Sequence, residues 1–171
     1  MNRWARIGHS VGRSLLVALL GLWIGLVVGM PTAIASIHVY PEGDGQVMVR
    51  SLQTVRDRQD QAWQLTLFKR SQAGQLRSVH LRVVGFPGSA VIQHPDPLRL
   101  SVRDRGWTAA DVFTANTPFP DSVGEYDLMS VMAELTRTSP MQLLIPTANS
   151  ATEVIVPAQV VQEWRDLVAQ H

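Results

Sequence analysis

Residues 76–84 read LRSVHLRVV, and this stretch decides the fold class because its apolar and polar side chains alternate with a period of two. In an extended strand, side chains at every second position share one face. Val79, Leu81 and Val83 are therefore predicted to point into a core. The side chains predicted to lie on the opposite, solvent-facing side are Ser78, His80 and Arg82.

Short segments with strand-like patterns lie on both sides of this stretch. They comprise residues 36–40, 46–55, 62–69, 89–93 and 98–104. Turn formers separate them, with Gly74 in a predicted hairpin loop at residues 71–75 and Pro87 in the turn that closes the central strand. Short strands separated by turns favour antiparallel pairing, as a meander, a sandwich or a small barrel of about six to eight strands. A parallel sheet is disfavoured because no long helical pattern lies between the strands.

Two helices are predicted in the second half of the sequence. Apolar residues at helical spacing predict one helix near residues 127–136, with Asp127 as its N-cap. The same kind of stripe predicts a C-terminal helix near residues 157–169, with Pro157 in its first turn. The predicted fold class is therefore α+β and rich in β-structure.

The other segments of the second half are predicted as strands, turns and loops. Met141–Ile145 and Thr152–Val156 have the composition of strands. Residues 104–107 are predicted to form a turn, after which Thr108 caps a short helix. Residues 114–124 are rich in proline and turn formers and are predicted to form a long loop.

Residues 1–35 are predicted to form a signal peptide. Residues 1–13 carry three arginines and no acid, and residues 14–30 contain no ionisable side chain. A basic segment, an apolar segment and a small-residue site ending at Ala35 are typical of a secretory leader cleaved after that residue. The arginines are not adjacent, which favours the general secretory route. The alternative is an uncleaved anchor, because the apolar run is near the lower limit of the about 17–25 residues that span a bilayer.

Cleavage leaves residues 36–171 as a single globular domain with 12 basic and 14 acidic residues, because three arginines and no acids leave with the leader. The resulting formal charge of −2 disfavours a nucleic-acid-binding protein. The absence of cysteine excludes a disulfide scaffold, a thiolate zinc site and a cysteine nucleophile. Membrane contact is expected only through the leader, if it is retained.

Candidate binding residues lie on the predicted outward faces and beside the long loop. Arginines on outward faces would form a basic surface if their strands pair, and aromatic residues next to prolines are typical of binding surfaces. These candidates are Arg82, Arg99, Arg103, Trp107 and Phe119. The alternative is an ordinary solvated sheet surface, with the aromatic side chains closing one end of the core.

Residues suited to acid–base or metal chemistry are few, and no catalytic residue, cofactor or metal site is predicted. A small metal-dependent or hydrolytic enzyme would have to use His80 and His94 together with the acids Asp121, Glu125 and Asp127. Neither a G-x-S-x-G elbow nor a G-x-x-x-x-G-K phosphate loop occurs in the sequence. A solvated histidine and a helix-capping aspartate account for the same residues without catalysis.

Six segments spread over nearly all of the predicted mature chain share a further feature. They are residues 45–57 (GQV to RD), 63–70 (WQ to FKR), 81–88 (LRVVGFPG), 94–98 (HPDPL), 123–128 (VGEYDL) and 160–164 (VVQEW). Together they resemble a cyanobacterial family of small exported proteins classed as a domain of unknown function. The resemblance implies a location in the periplasm or thylakoid lumen of a photosynthetic prokaryote. It implies no reaction, cofactor or catalytic residue.

Together, these features predict an exported, non-catalytic accessory or binding protein. Its predicted partner is an exported protein or a protein of a membrane complex, and no nucleic-acid partner is expected. The enzyme centred on His80 and His94 is the alternative.

Overall fold

The computed structural model describes residues 37–43, 45–113 and 120–170, which form nine strands and two helices. The strands are β1 (Ile37–Gly43), β2 (Gln46–Arg56), β3 (Ala62–Gln72), β4 (Gln75–Val84), β5 (Leu98–Val102), β6 (Arg105–Ala109), β7 (Val123–Asp127), β8 (Met141–Ile145) and β9 (Thr152–Val156). The helices are α1 (Met129–Glu134) and α2 (Ala158–Ala169). The predicted leader, residues 1–35, lies outside the described residues. Among those described, no helix is both long and apolar enough to cross a membrane.

The strands form two antiparallel sheets. One has five strands in the order β1-β2-β3-β4-β7, and the other has four in the order β6-β5-β8-β9. Buried side chains from both sheets and both helices belong to one hydrophobic core. The predicted α+β, β-rich class with antiparallel pairing is confirmed.

Alternation along the central strands builds the core. On β4, Val79, Leu81 and Val83 are fully buried, as the period of two predicts. β3 contributes an equivalent row that includes Leu65 and Leu67. The helix α2 buries the predicted apolar stripe, which includes Val160, Val161, Trp164 and Leu167. The predicted core faces of these elements are therefore confirmed.

A tight turn joins β3 to β4. The predicted loop at residues 71–75 is reduced to Ala73 and Gly74, whose φ angles are +50° and +76°. Two consecutive positive φ angles are typical of a two-residue type I′ turn, whose twist matches that of paired strands. Together with a register shift between Arg70 and Ser71, this turn sets the register that places Arg82 opposite Thr66 on the outer face.

The only lysine of the chain lies in the core. Lys69 is 5% exposed on the inner face of β3, among the apolar residues that α2 covers. Its Nζ donates hydrogen bonds to the carbonyl oxygens of Leu167 (3.0 Å) and Val168 (3.4 Å) and also to that of Gln170. Burial lowers the pKa of the Lys69 ammonium. Since the last carbonyls of a helix lack partners within it and carry partial negative charge, Lys69 caps α2 and fixes it to the sheet.

The predicted short helix that begins at Thr108 is wrong. Strand β6 pairs with β5 along its whole length, so this segment is extended. The hairpin turn lies earlier than expected, at Arg103 and Asp104, where Arg103 has a φ of +54°. Backbone pairing with β5 outweighs the local capping preference of threonine.

Two other local predictions are wrong. Residues 89–93 do not form a strand, because only an isolated bridge joins Ile92 to Thr147. Of the predicted loop at residues 114–124, residues 114–119 lie outside the described residues, and the predicted end is wrong because β7 begins at Val123 and pairs with β4. Pairing with β7 provides the backbone of β4 with hydrogen-bond partners that a loop would not supply.

The helix predicted near residues 127–136 is present but shorter than expected. Asp127 ends β7, and Leu128 is the N-cap of α1. The carboxylate of Asp127 nevertheless accepts a hydrogen bond from the backbone N–H of Met129 at 2.8 Å, so it supports the first turn from one position earlier than predicted. The C-terminal helix has the predicted extent, except that Pro157 is its N-cap and not its first residue.

Candidate functional site

A cleft of about 330 Å³ opens between the β5–β6 hairpin and the chain that leaves α1. Its charged and aromatic lining residues are Arg103, Asp104, Arg105, Trp107, Glu134 and Arg137. We call it the Trp107 cleft. The hairpin turn supplies Arg103, and the alternation of β6 brings Arg105 and Trp107 to the same face of that strand. Two residues predicted from the sequence, Arg103 and Trp107, are thereby brought together.

Glu134 organises one wall of the Trp107 cleft. Its Oε2 accepts a hydrogen bond from Nη2 of Arg105 at 2.8 Å and another from the indole Nε1 of Trp107 at 3.0 Å. The Arg105 guanidinium lies 5.3 Å from the centre of the Trp107 ring. These contacts orient the indole while leaving its ring at the cleft surface.

The electrostatic balance of the Trp107 cleft is positive, because three arginines line it and only two acids do. Arg103 donates through Nε to the hydroxyl of Ser139 at 3.2 Å, so this contact leaves its charge uncompensated. Arg137 is exposed at the rim. The cleft therefore presents guanidinium groups beside an oriented indole, a combination suited to carboxylate groups.

A second polar cluster surrounds Glu125 on the outer face of the five-stranded sheet. Glu125 faces Arg82 across the β4–β7 pair. Its Oε2 accepts hydrogen bonds from Nε (3.0 Å) and Nη2 (2.7 Å) of Arg82, and its Oε1 lies 2.8 Å from Nδ1 of His80. His80 also meets the ring of Phe68 edge-on, with the ring centres 5.6 Å apart. His80 was expected on a freely solvated face; instead it is held by a buried carboxylate.

Burial by itself raises the pKa of Glu125, but the hydrogen bonds from His80 and Arg82 and the charges of these groups outweigh it, so the pKa is lowered. The unfolded chain then takes up a proton at higher pH than the folded one, and stability is lost as the pH falls below about 4.3, the ordinary glutamate value. We expect Glu125→Gln to lower the free energy of unfolding by about 1–3 kcal/mol at pH 7. Urea unfolding from pH 7 to pH 3 should also show a shallower loss of stability for this variant. A variant that follows the wild-type pH curve would show that Glu125 does not couple protonation to folding.

His94 occupies a separate site. Its Nδ1 lies 2.5 Å from Oδ2 of Asp111, and its Nε2 lies 3.2 Å from the carbonyl oxygen of Val123. The ring stacks on Phe113 with the centres 4.0 Å apart, and Oδ1 of Asp111 accepts the backbone N–H of that residue. Both ring nitrogens thus face acceptors within the fold, Asp111 and the carbonyl oxygen of Val123. His94 therefore has a structural role, since it connects its own segment to these two parts of the chain.

Tyr126 lies fully buried on β7, next to these segments. Its hydroxyl has no hydrogen-bond partner among the described residues. Burial raises its pKa, and the negative charges of Asp111 and Asp96 raise it further. The phenol therefore stays protonated, and it is fully buried in the fold.

The sequence candidates are distributed over several surfaces. Arg82 and Arg99 belong to different sheets, because β4 does not pair with β5, so they share no basic face. Arg99 lines another cleft, of about 280 Å³, with Asp96. Phe119 lies outside the described residues.

The acids Asp121, Glu125 and Asp127, which the sequence analysis grouped together, have different surroundings. Glu125 binds Arg82 and His80, and Asp127 supports α1, whereas Asp121 is exposed. Within the described part of the chain, no three histidine or acidic residues are grouped so that they could hold a metal ion. His80 and His94 each have their own carboxylate partner.

Four charged residues of the Trp107 cleft were not among the sequence candidates, namely Asp104, Arg105, Glu134 and Arg137. Recognising residues 105–109 as a strand would have identified Arg105, because residues two positions apart in a strand share one face and Trp107 was already a candidate. Glu134 is the last residue of α1 and Arg137 follows that helix, and only the packing of α1 against β6 brings these two residues near the hairpin.

A family model described as a protein of unknown function, DUF3122, matches residues 35–167. The chain belongs to the DUF3122 family. This match covers both sheets and most of α2, and it confirms the resemblance to a domain of unknown function. No curated protein and no solved structure matches the chain.

Proposed function

We propose that this DUF3122 protein is an exported, non-catalytic binding protein that holds an acidic segment of a partner protein in the Trp107 cleft. The observation that carries the proposal is the convergence of Arg103, Arg105 and Arg137 around the indole of Trp107. Arginine and tryptophan are the side chains most enriched among residues that dominate binding energy. Arginine also binds carboxylates through two parallel hydrogen bonds.

The geometry of the cleft supports binding in preference to catalysis. Glu134 is engaged by Arg105 and by Trp107, so it is an orienting group and not a free base. The alternative enzyme would need His80 and His94 to act with the acids at positions 121, 125 and 127. Each histidine is instead paired with a carboxylate at its own place in the fold. Among the described residues, the polar partners of the two histidines are Glu125, Asp111 and the carbonyl oxygen of Val123, none of which is a nucleophilic side chain of the hydroxyl or thiol kind.

The compartment follows from the leader. A basic, apolar and small-residue pattern at residues 1–35 supports export by the general secretory route, with residues 36–171 released as one domain. The partner is then an exported protein or an exposed part of a membrane complex, in the periplasm or the thylakoid lumen. The charge of −2 after cleavage disfavours nucleic acid as the partner.

The binding proposal is tested by calorimetric titration of the protein with hexaglutamate, with hexalysine as the matched control. Hexaglutamate is expected to bind with a saturable heat that decreases as salt is added, because the attraction is between charges near the surface. Hexalysine is expected to give no saturable heat. Equal responses to the two peptides, or no response to hexaglutamate, would contradict an acidic-segment site.

Export is tested by the intact mass of the protein recovered from cells that express the full sequence. Cleavage after Ala35 predicts a chain that begins at Ser36, found in the fraction outside the cytoplasm. Replacing Ala33 and Ala35 by bulky leucine should block processing, because small residues are required at the peptidase site. Recovery of the unprocessed chain in the cytoplasm would contradict the proposed compartment.

A further inference from the structure

A second cationic groove lies on the outer face of the five-stranded sheet. It has a volume of about 170 Å³ and is lined by Met48, Arg50, Thr66, Phe68, Arg70 and Arg82. We call it the arginine groove. Its residues come from β2, β3 and β4, where the register sets Met48 opposite Arg70, Arg50 opposite Phe68 and Thr66 opposite Arg82. The groove is built entirely on the five-stranded sheet, whereas the Trp107 hairpin belongs to the four-stranded sheet.

Contacts around the groove hold its three guanidinium groups in place. Arg82 is fixed by its two hydrogen bonds to Glu125. Arg50 donates to the hydroxyl of Tyr40 at 2.6 Å, and its guanidinium lies 4.6 Å from the centre of that ring. The guanidinium groups of Arg70 and Arg82 lie 4.8 Å and 5.6 Å from the centre of the Phe68 ring. Groups that are already ordered lose less conformational freedom when a ligand binds.

The chemistry and size of the groove select a small anion. None of the six lining residues is acidic, and Thr66 adds a hydroxyl donor to the guanidinium groups of Arg50 and Arg70, whereas Nε and Nη2 of Arg82 already donate to Glu125. The volume is below the about 300–1,000 Å³ typical of pockets for larger organic ligands. One guanidinium group can donate hydrogen bonds to both oxygens of a carboxylate through two parallel N–H groups. A tetrahedral oxyanion has more oxygens, which can accept hydrogen bonds from more than one guanidinium group. We propose that the arginine groove binds a phosphate or sulfate group.

The proposal is tested by calorimetric titration of the protein with inorganic phosphate and with inorganic sulfate, with chloride at the same ionic strength as the control. Phosphate or sulfate should bind saturably at one site, and chloride should not. Arg50→Gln and Arg70→Gln should each weaken the binding at least tenfold. Arg77→Gln, an exposed arginine on β4 outside the groove, should leave it unchanged.

The result that overturns the proposal is an oxyanion response equal to that of chloride, or a response that Arg50→Gln and Arg70→Gln weaken no more than Arg77→Gln. Melting curves of each variant establish that the fold is retained. Arg50→Lys gives a further comparison, because it keeps the positive charge and loses the two parallel N–H donors of the guanidinium group. Hexaglutamate binding to the Trp107 cleft should be the same in all of these variants. A protein that does not bind oxyanions in the arginine groove can therefore be distinguished from one that does not bind acidic peptide in the Trp107 cleft.

The source of the oxyanion is distinguished by sedimentation with lipid vesicles. Vesicles of phosphatidylcholine with phosphatidic acid present an exposed phosphate monoester, whereas phosphatidylcholine alone presents none. Binding to the first kind only, lost in Arg70→Gln, supports the groove as a headgroup site. Binding of inorganic phosphate or sulfate without vesicle binding supports it as a site for the free ion. Equal binding of wild type and Arg70→Gln to phosphatidic acid, with no binding of the free ions, would overturn it.

Discussion

Lys69→Ala is expected to lower the free energy of unfolding by about 2–4 kcal/mol, because it removes a charged hydrogen-bond donor and the apolar stem that fills the space beneath it. The carbonyl oxygens of Leu167 and Val168 would lose their contact with the ammonium group inside the fold. Buried acceptors without partners are costly, and α2 would also lose the favourable interaction of a cation with its C-terminus. Urea unfolding of wild type and variant measures the difference.

Two further substitutions separate the causes of this loss. Lys69→Met keeps the apolar stem without the donor, so it should recover part of the loss due to packing and none of the loss due to hydrogen bonding. Arg77→Ala, at an exposed position, should stay within about 0.5 kcal/mol of wild type. A Lys69→Ala protein that is as stable as Arg77→Ala would show that Lys69 does not fix α2 to the sheet.

The double substitution Arg103→Glu with Arg137→Glu is expected to weaken hexaglutamate binding by at least about 100-fold. Each charge-assisted hydrogen bond contributes about 1.5–3 kcal/mol, and 1.4 kcal/mol corresponds to a factor of ten in affinity. Reversing the charges adds repulsion to the lost attraction, since acidic side chains would then face the acidic peptide. Calorimetric titration at constant ionic strength measures the change.

The matched control is Arg77→Glu with Arg99→Glu, which changes the net charge by the same amount at exposed positions outside the Trp107 cleft. Its effect on binding should be less than about fivefold, because Arg77 belongs to the other sheet and Arg99, opposite Thr108, lies on the face of its sheet that points away from Trp107. Salt also screens exposed charges of this kind. If both double variants weaken binding equally, the peptide responds to overall charge and the assignment to the Trp107 cleft fails.

The elements predicted correctly are those whose side chains carry the pattern by themselves. Leu65, Leu67 and Leu81 alternate with polar residues, so the sequence of each strand predicts its buried face even when the paired strands are unknown. Strand β7 is different, because Val-Gly-Glu-Tyr-Asp is buried on both faces and contains a buried charged residue. Glu125 is stable there only because Arg82 and His80 arrive from β4, more than forty positions away.

The residues of the candidate site also divide into those that the local sequence predicts and those that only distant contacts bring into place. Trp107 and Arg103 could be proposed from an aromatic residue near the long loop and an arginine at a predicted strand end. Glu134 could not be proposed, because its two donors lie 27 and 29 positions away and the local sequence indicates only a solvated helix face. The buried lysine was missed for a related reason, since its partners are backbone carbonyls about a hundred positions away and carry no signal in the side-chain pattern.

The most direct test of the acidic-segment site is a nuclear magnetic resonance titration that follows the indole N–H signals of the ¹⁵N-labelled protein. Trp63 and Trp164 are buried in the core, whereas Trp107 lies at the cleft surface with its N–H on Glu134. Saturating hexaglutamate is expected to move the Trp107 signal and to leave those of Trp63 and Trp164 in place. A Trp107 signal that stays fixed while the peptide binds would contradict the central claim.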